Sequence, residues 1–329
     1  MDAPDVAALE ERLVGGDRRA LARLLTLVED GRGDVQADVV ARLHPRTGGA
    51  RLVGITGSPG VGKSSVTSAL VTALRAVGRR VAVLAVDPSS PLTGGALLGD
   101  RIRMQVHHRD PDVFVRSMAA RGHLGGLAAA VPAAVLVLDA AGFDDIILET
   151  VGVGQSEVEV AAMADTTLVV MAPGLGDGVQ AAKAGILEVA DVLVVNKADQ
   201  PGAGRLEAEL RGMLELGHAV APPPSDDAGP TVSWMPPILR TVAVRGEGVD
   251  ALRDTLDAHV AALDAAAGPG RALVRARRWI TEIAAGRLRD VLAGDDGPLP
   301  ARLEELARAV ADRRVDPATA ADRLLAGLG

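Results

Sequence analysis

Residues 57–64 read Gly57, Ser58, Pro59, Gly60, Val61, Gly62, Lys63, Ser64. No other string limits the fold so much. An apolar run, Leu52–Thr56, precedes it, and a segment of helical spacing from Lys63 to about Val77 follows. The order is therefore strand, glycine-rich turn, helix. Such a turn curls so that successive backbone N–H groups converge on one point. The start of the helix adds a partial positive charge there. A chain that opens this way needs an α/β fold, with the turn at the carboxyl edge of a mostly parallel sheet.

The rest of the chain has the matching pattern. Arg80–Val86 is the next apolar run, and further strands are expected at Val113–Arg116, Ile146–Glu149, Thr167–Met171, Val192–Val195 and Ile238–Val244. Helical stretches separate most of them. Strands alternating with helices give a parallel sheet covered on both faces. Residues 5–43 read as helical, with Leu9, Leu13, Ala20, Leu21, Leu24, Leu25 and Val28 at helical spacing. Pro88–Gly99 and Ala219–Pro237 look irregular. After Gly248 the chain reads as helix to the end, with breaks near Gly268–Gly270 and Gly294–Pro300. The expected organisation is an N-terminal helical segment (1–45), a phosphate-loop domain (46–264) and a helical extension (265–329). The extension is either a packed cap or a dimer surface. Pro132 falls inside an expected helix over 124–141. A proline in a helix interior costs about 3 kcal/mol, so a kink or restart is expected there.

Composition excludes several functions. The chain has 329 residues, a formal net charge of −8 and no cysteine. An acidic chain is a poor partner for nucleic acid, whose affinity rests on Lys and Arg neutralising phosphates. Two Trp, two Phe and no Tyr leave almost no platform for stacking bases. Without cysteine there is no thiolate chemistry and no cysteine-ligated metal. Met1–Glu11 lacks the cationic and apolar regions of a signal peptide. The longest apolar stretch, Leu127–Leu138, is too short to span a bilayer. A cytoplasmic protein with no membrane partner is expected.

The glycine turn fits the phosphate-loop pattern G-x-x-x-x-G-K-[ST]. Its backbone, with Ser65 beyond it, is expected to cradle a nucleotide. Lys63 is expected to reach the β and γ phosphates, and the Ser64 hydroxyl to bind Mg²⁺. The strand Val192–Val195 runs into Asn196, Lys197, Ala198 and Asp199. Asp199 offers two acceptor oxygens to the N1–H and exocyclic amine of guanine. Adenine presents an acceptor at N1 instead. A site built for that donor pair rejects the wrong base by roughly 10⁴-fold. Asn196 is expected to tie the loop together and contact the base, with the stem of Lys197 over the ring. The backbone N–H of Ala243, at the end of the last strand, is a candidate donor to guanine O6. Asp87, directly after the second strand, and Asp100, beyond a glycine-rich segment, are both candidates for Mg²⁺, directly or through water. Glu149 ends a buried strand before Gly152, Gly154 and Gln155. In GTPases an acid at this point bonds the metal shell and a glycine N–H senses the γ-phosphate. Gly152 is the candidate glycine. Gln155 is either a residue that orders the attacking water or a structural polar group.

Together these strings resemble the MeaB/ArgK/MMAA family of P-loop GTPases. The resemblance is carried by Gly54–Ser64, Val86–Pro91, Gly94–Met104, Arg121–Gly126, Glu149–Ser156 and Asn196–Asp199, with Gly16–Arg23 near the N-terminus. It runs from about residue 8 to about 250. It implies a dimeric G-protein chaperone of an adenosylcobalamin-dependent acyl-CoA mutase, one that uses GTP and GDP to gate cofactor loading and protect the mutase. It also implies that Lys63 and Glu149 serve hydrolysis, that Asp87 and Asp100 are magnesium-site residues, and that Gly174–Lys183 is a further switch. Lys183 is then a partner contact or an activating cation; otherwise it is an exposed helix lysine. Two other readings stand beside it. A metallochaperone GTPase for nickel enzymes usually carries His- or Cys-rich metal sites, and here the six histidines are scattered apart from His107-His108. A kinase or transport ATPase conflicts with Asn196–Asp199.

Overall fold

The computed structural model describes residues 5–30, 33–88, 105–107, 109–120, 126–150, 163–174, 189–220, 234–267, 270–294 and 298–328. Seven strands form one all-parallel sheet: β1 (Arg51–Thr56), β2 (Val81–Pro88), β3 (Val113–Ala120), β4 (Asp145–Thr150), β5 (Thr166–Met171), β6 (Val192–Val195) and β7 (Ile238–Arg240). Their order across the sheet is β3-β2-β4-β1-β5-β6-β7. The glycine-turn strand β1 lies at the centre. From β1 the chain crosses outward over β4 to β2 and β3, returns to β4, then continues on the far side with β5. The crevice for a ligand lies at such a reversal, outside the carboxyl ends of the strands.

Strands β1, β4, β5 and β6 are buried along their whole length, because helices cover both faces. Alternate residues serve opposite faces. Leu52, Ala82, Leu84, Ile146 and Leu148 pack with α1 (Val6–Val14), α2 (Arg18–Glu29), α3 (Gly33–Leu43) and α5 (Gly126–Ala140). Val53, Ile55, Val83, Ile147 and Val170 face α4 (Lys63–Ala76) and α7 (Val249–Ala267). Val169, Met171, Leu193 and Val195 receive α6 (Ala203–Val220). The first three helices thus share a core with the sheet. Their attachment is also polar: Arg116 of β3 donates to Ala22 O, Thr26 Oγ1 and Glu29 Oε2.

Three further helices follow: α8 (Gly270–Ala293), α9 (Pro298–Ala311) and α10 (Pro317–Leu325). Trp279 and Arg275 attach α8 to the main body, since Arg275 grips Asp165 at 2.6 and 3.0 Å. Helices α9 and α10 close on a small cluster of their own around Leu306, Ala320 and Leu324.

Local details differ from the sequence expectation in three places. Helix α5 runs through Pro132 without a restart. Strand β7 stops at Arg240, and Ala243–Arg245 forms a 3₁₀ turn instead of its continuation. A bridge between Val242 and Glu247 folds the chain back there. Strand β3 continues to Ala120 because β2 pairs with it along its full length.

Candidate functional site

The glycine turn joins β1 to α4 at the carboxyl edge of the sheet. Gly62 caps α4 at φ 96° with no side-chain hydrogen bond to the helix. The first N–H groups of α4 therefore get no side-chain cap from Gly62, as a site for phosphate oxygens requires. A Cβ at position 62 would lie 2.5 Å from Asn196 Nδ2, so both the backbone angle and the neighbour demand glycine. Lys63 is buried, and its ammonium donates to Gly57 O at 2.6 Å and Ser58 O at 3.2 Å. The cation is thus held at the mouth of the turn. Pro59 and Gly60 are exposed, Val61 is buried, and Ser58 and Ser65 are half-buried.

Beside the turn, the Ser64 hydroxyl donates to Glu149 Oε1 at 2.5 Å, with both residues buried. Sheet register explains the meeting. Glu149 of β4 lies level with Ile55 of β1 on one side and with Ala85 of β2 on the other. Asp87 sits two residues further along β2, at the same carboxyl edge. The donors gathered here are oxygens, a hydroxyl and a carboxylate. That set suits a hard cation such as Mg²⁺, which completes its shell with water and phosphate oxygens. Among the described residues no group of three or more His, Cys, Asp or Glu side chains is placed to hold a metal by itself. The side chain of Asp87, and all of Asp100, Gly152, Gln155 and Lys183, lie outside the described residues.

The loop after β6 is tied in by Asn196. Its Nδ2 donates to Val61 O at 2.9 Å, and its Oδ1 accepts from Thr241 Oγ1 at 3.1 Å and from the backbone N–H of Ala243 at 3.2 Å. Its own N–H donates to Met171 O of β5. One side chain thus joins the glycine turn, the end of β6 and the turn after β7. Lys197 adopts φ 55° and donates to Gly60 O at 2.8 Å, laying its stem along the rim of the turn. Asp199 is 40% exposed and pairs with Arg245 at 3.2 Å. A groove of about 780 Å³ runs from Ser64 along α4 to Ala76, with Ala243, Val249 and Asp250 on its other wall, and neither Asn196 nor Asp199 lines it.

The sequence reading missed the Thr241 hydroxyl, Arg245 and Glu247. The only cue was the string Arg245-Gly-Glu-Gly248, an acid between two glycines after a strand. His107 is buried, with its Nε2 3.0 Å from Ser68 O on α4.

The arrangement can hold a triphosphate along the turn, a cation beside Ser64 and Glu149, and a purine at Asp199. Known proteins match it over most of the chain. The family described as "Methylmalonyl Co-A mutase-associated GTPase MeaB" matches residues 21–296. A candidate GTPase of Pyrococcus abyssi is 45% identical over 319 residues, 96% of this chain and 95% of that protein. GTPase ArgK of Escherichia coli is 40% identical over 242 residues, 73% of this chain and 71% of its own. The methylmalonic aciduria type A homolog of Caenorhabditis briggsae is 38% identical over 272 residues, 78% of this chain and 64% of its own. The crystal structure of an LAO/AO transport system kinase superposes with a TM-score of 0.71 at 28% identity, covering 100% of this chain and 99% of that one. The family match covers most of the chain, and the relatives at 45% and 40% identity are named GTPases: the chain belongs to the MeaB family of P-loop GTPases and is itself a GTPase.

Proposed function

We propose that this GTPase is a nucleotide-gated chaperone of an adenosylcobalamin-dependent acyl-CoA mutase. The observation that carries the reading is the match of residues 21–296 to a family whose description names the mutase. The name of the Caenorhabditis relative points to the same metabolism. The protein would act in the cytoplasm, without nucleic-acid or membrane partners.

In this reading residues 57–65 bind the phosphates, with Lys63 neutralising charge on the β and γ groups. Asn196, Lys197 and Asp199 hold the guanine. Ala243 N–H, now donating to Asn196, lies at the same end and is assigned to O6. Ser64, Asp87, Asp100 and Glu149 are assigned to Mg²⁺. When bound, that ion would neutralise charge gathering on the phosphate oxygens. Glu149 already holds the Ser64 hydroxyl, so its role is to orient that oxygen and the water around it. Gly152 is assigned to sensing the γ-phosphate, Gln155 to ordering water, and Lys183 to the partner or to activation.

The domain limits 46–264 and 265–329 are kept, with the extension assigned to a homodimer contact. Exposed Leu273, Ile280 and Val291 on α8 support that assignment. The isolated protein is expected to turn over slowly, since an activating group from a partner is worth about 10³–10⁵ in rate. The test is to measure GTP hydrolysis and co-sedimentation with purified methylmalonyl-CoA and isobutyryl-CoA mutases. Association that depends on a non-hydrolysable GTP analogue, with faster hydrolysis, supports the chaperone role. A fast isolated enzyme indifferent to both mutases rejects it.

A further inference from the structure

The turn after β7 directs a charge pair at the carboxylate assigned to the base. Arg245 closes the 3₁₀ turn, with Nη1 3.2 Å from Asp199 Oδ2. Its Nε lies 2.7 Å and its Nη2 3.5 Å from the two oxygens of Glu247. Glu247 is itself fixed by the backbone, because its carbonyl accepts from Val242 N at 3.0 Å in the isolated bridge. Gly248 then turns at φ 78°, where a Cβ would lie 2.0 Å from Arg240 O. The loop is therefore pressed onto the end of β7, and its position is set by the sheet.

Asp199 belongs to a different loop, the one after β6. Its terminal torsion is broad and two-fold by nature, and the side chain is substantially exposed. Left alone, such a carboxylate samples many planes, and only one aligns both oxygens with the N1–H and exocyclic amine of guanine. We propose that Arg245, braced by Glu247, is a positioning residue for base selection that fixes the plane of the Asp199 carboxylate. The inference rests on Asp199 being the base carboxylate.

Arg245 and Glu247 are each more than half exposed, and exposed ion pairs add little to folding stability. The value of this pair is orientation. A guanidinium fork has fixed planar geometry that a lysine ammonium does not reproduce.

The test uses the full chain and compares dissociation constants for GTP, inosine triphosphate and ATP. Inosine lacks the exocyclic amine, so the ratio of GTP to inosine triphosphate affinity reads the second hydrogen bond alone. Arg245→Ala is expected to weaken GTP by about tenfold and inosine triphosphate by about twofold, a hydrogen-bond-sized loss of discrimination. Glu247→Ala should move the ratio the same way, and Arg245→Lys should restore it only in part. If Arg245→Ala weakens both nucleotides equally, or neither, while wild type keeps its preference for GTP, the inference fails by itself. If Asp199→Asn leaves GTP binding intact, the base assignment fails and takes the inference with it.

Discussion

Asn196 connects three loops through hydrogen bonds to Val61, Thr241 and Ala243. Removing its side chain leaves the Thr241 hydroxyl and the Ala243 N–H without their acceptor, in a region where Thr241 and Ala243 are buried. Each unsatisfied buried group costs about 1–3 kcal/mol. Asn196→Ala is therefore expected to destabilise the fold by about 2–4 kcal/mol in a denaturant titration, in line with partial rescue by water. It should also weaken GTP through the displaced glycine turn. A variant as stable as wild type would show that the hub is dispensable. The string Asn196–Asp199 stood out in the sequence because an acid after a buried strand offers two acceptors to a purine's donor pair. Its bond to Val61 did not, since that depends on β6 lying one strand beyond β5 from β1.

At the scale of elements, the amino end of the sheet is held by an ion network centred on the buried pair of Arg51 and Asp145. Arg51 of β1 donates through Nε to Asp145 of β4 at 2.6 Å and through Nη1 to Asp257 of α7 at 2.7 Å. Arg79 adds contacts to Asp145 at 3.2 and 3.3 Å. Breaking a buried pair by removing one partner costs about 3–5 kcal/mol. Asp145→Ala should lose that much in urea, whereas a loss near zero would mean that water or Asp257 replaces it.

Near the same end, His259 of α7 lies 2.8 Å from the Thr166 hydroxyl and 4.7 Å, ring to ring, from Trp234. Burial pushes its pKa below the usual histidine value, although the Asp191 and Asp165 carboxylates oppose this. The unfolded chain then binds the proton more readily than the native one. The stability from neutral His259 is complete above about pH 6.5 and is lost as pH falls through the native value. The melting temperature should drop as pH falls below about 6.5, and His259→Gln should flatten that drop. An unchanged slope in the variant would contradict this.

Six of the strands were legible to within a few residues because apolar runs between helices leave little choice. Strand β7 was overestimated, since Thr241–Val244 is apolar enough for a strand but turns at Gly246 (φ 72°) and Gly248. Pro132 looked disruptive, yet the helix runs through it, its residues Val131 and Ala133–Val135 packed into the core.

At the scale of the molecule, one sheet brings together polar strings that stand far apart in sequence. Residues 57–64 follow β1, Glu149 is the penultimate residue of β4 and Asn196–Asp199 follow β6. The sequence allowed the site to be assembled because phosphate loops sit at strand ends, and strand ends of a parallel sheet share an edge. The stitching by Asn196, Lys197 and Arg245 was beyond it, as was the packing of α1–α3 into the main core. No helix among the described residues is long and apolar enough to cross a membrane. The central claim is a single site in which residues 57–64 hold the phosphates and Asp199 selects the base. The most direct test is equilibrium titration of wild type and Asp199→Asn with GTP and xanthosine triphosphate. Wild type should prefer GTP, and the variant should lose GTP by about 10²-fold or more while gaining xanthosine triphosphate, as expected when a paired polar contact is inverted. Equal GTP affinity in the two proteins would contradict the claim.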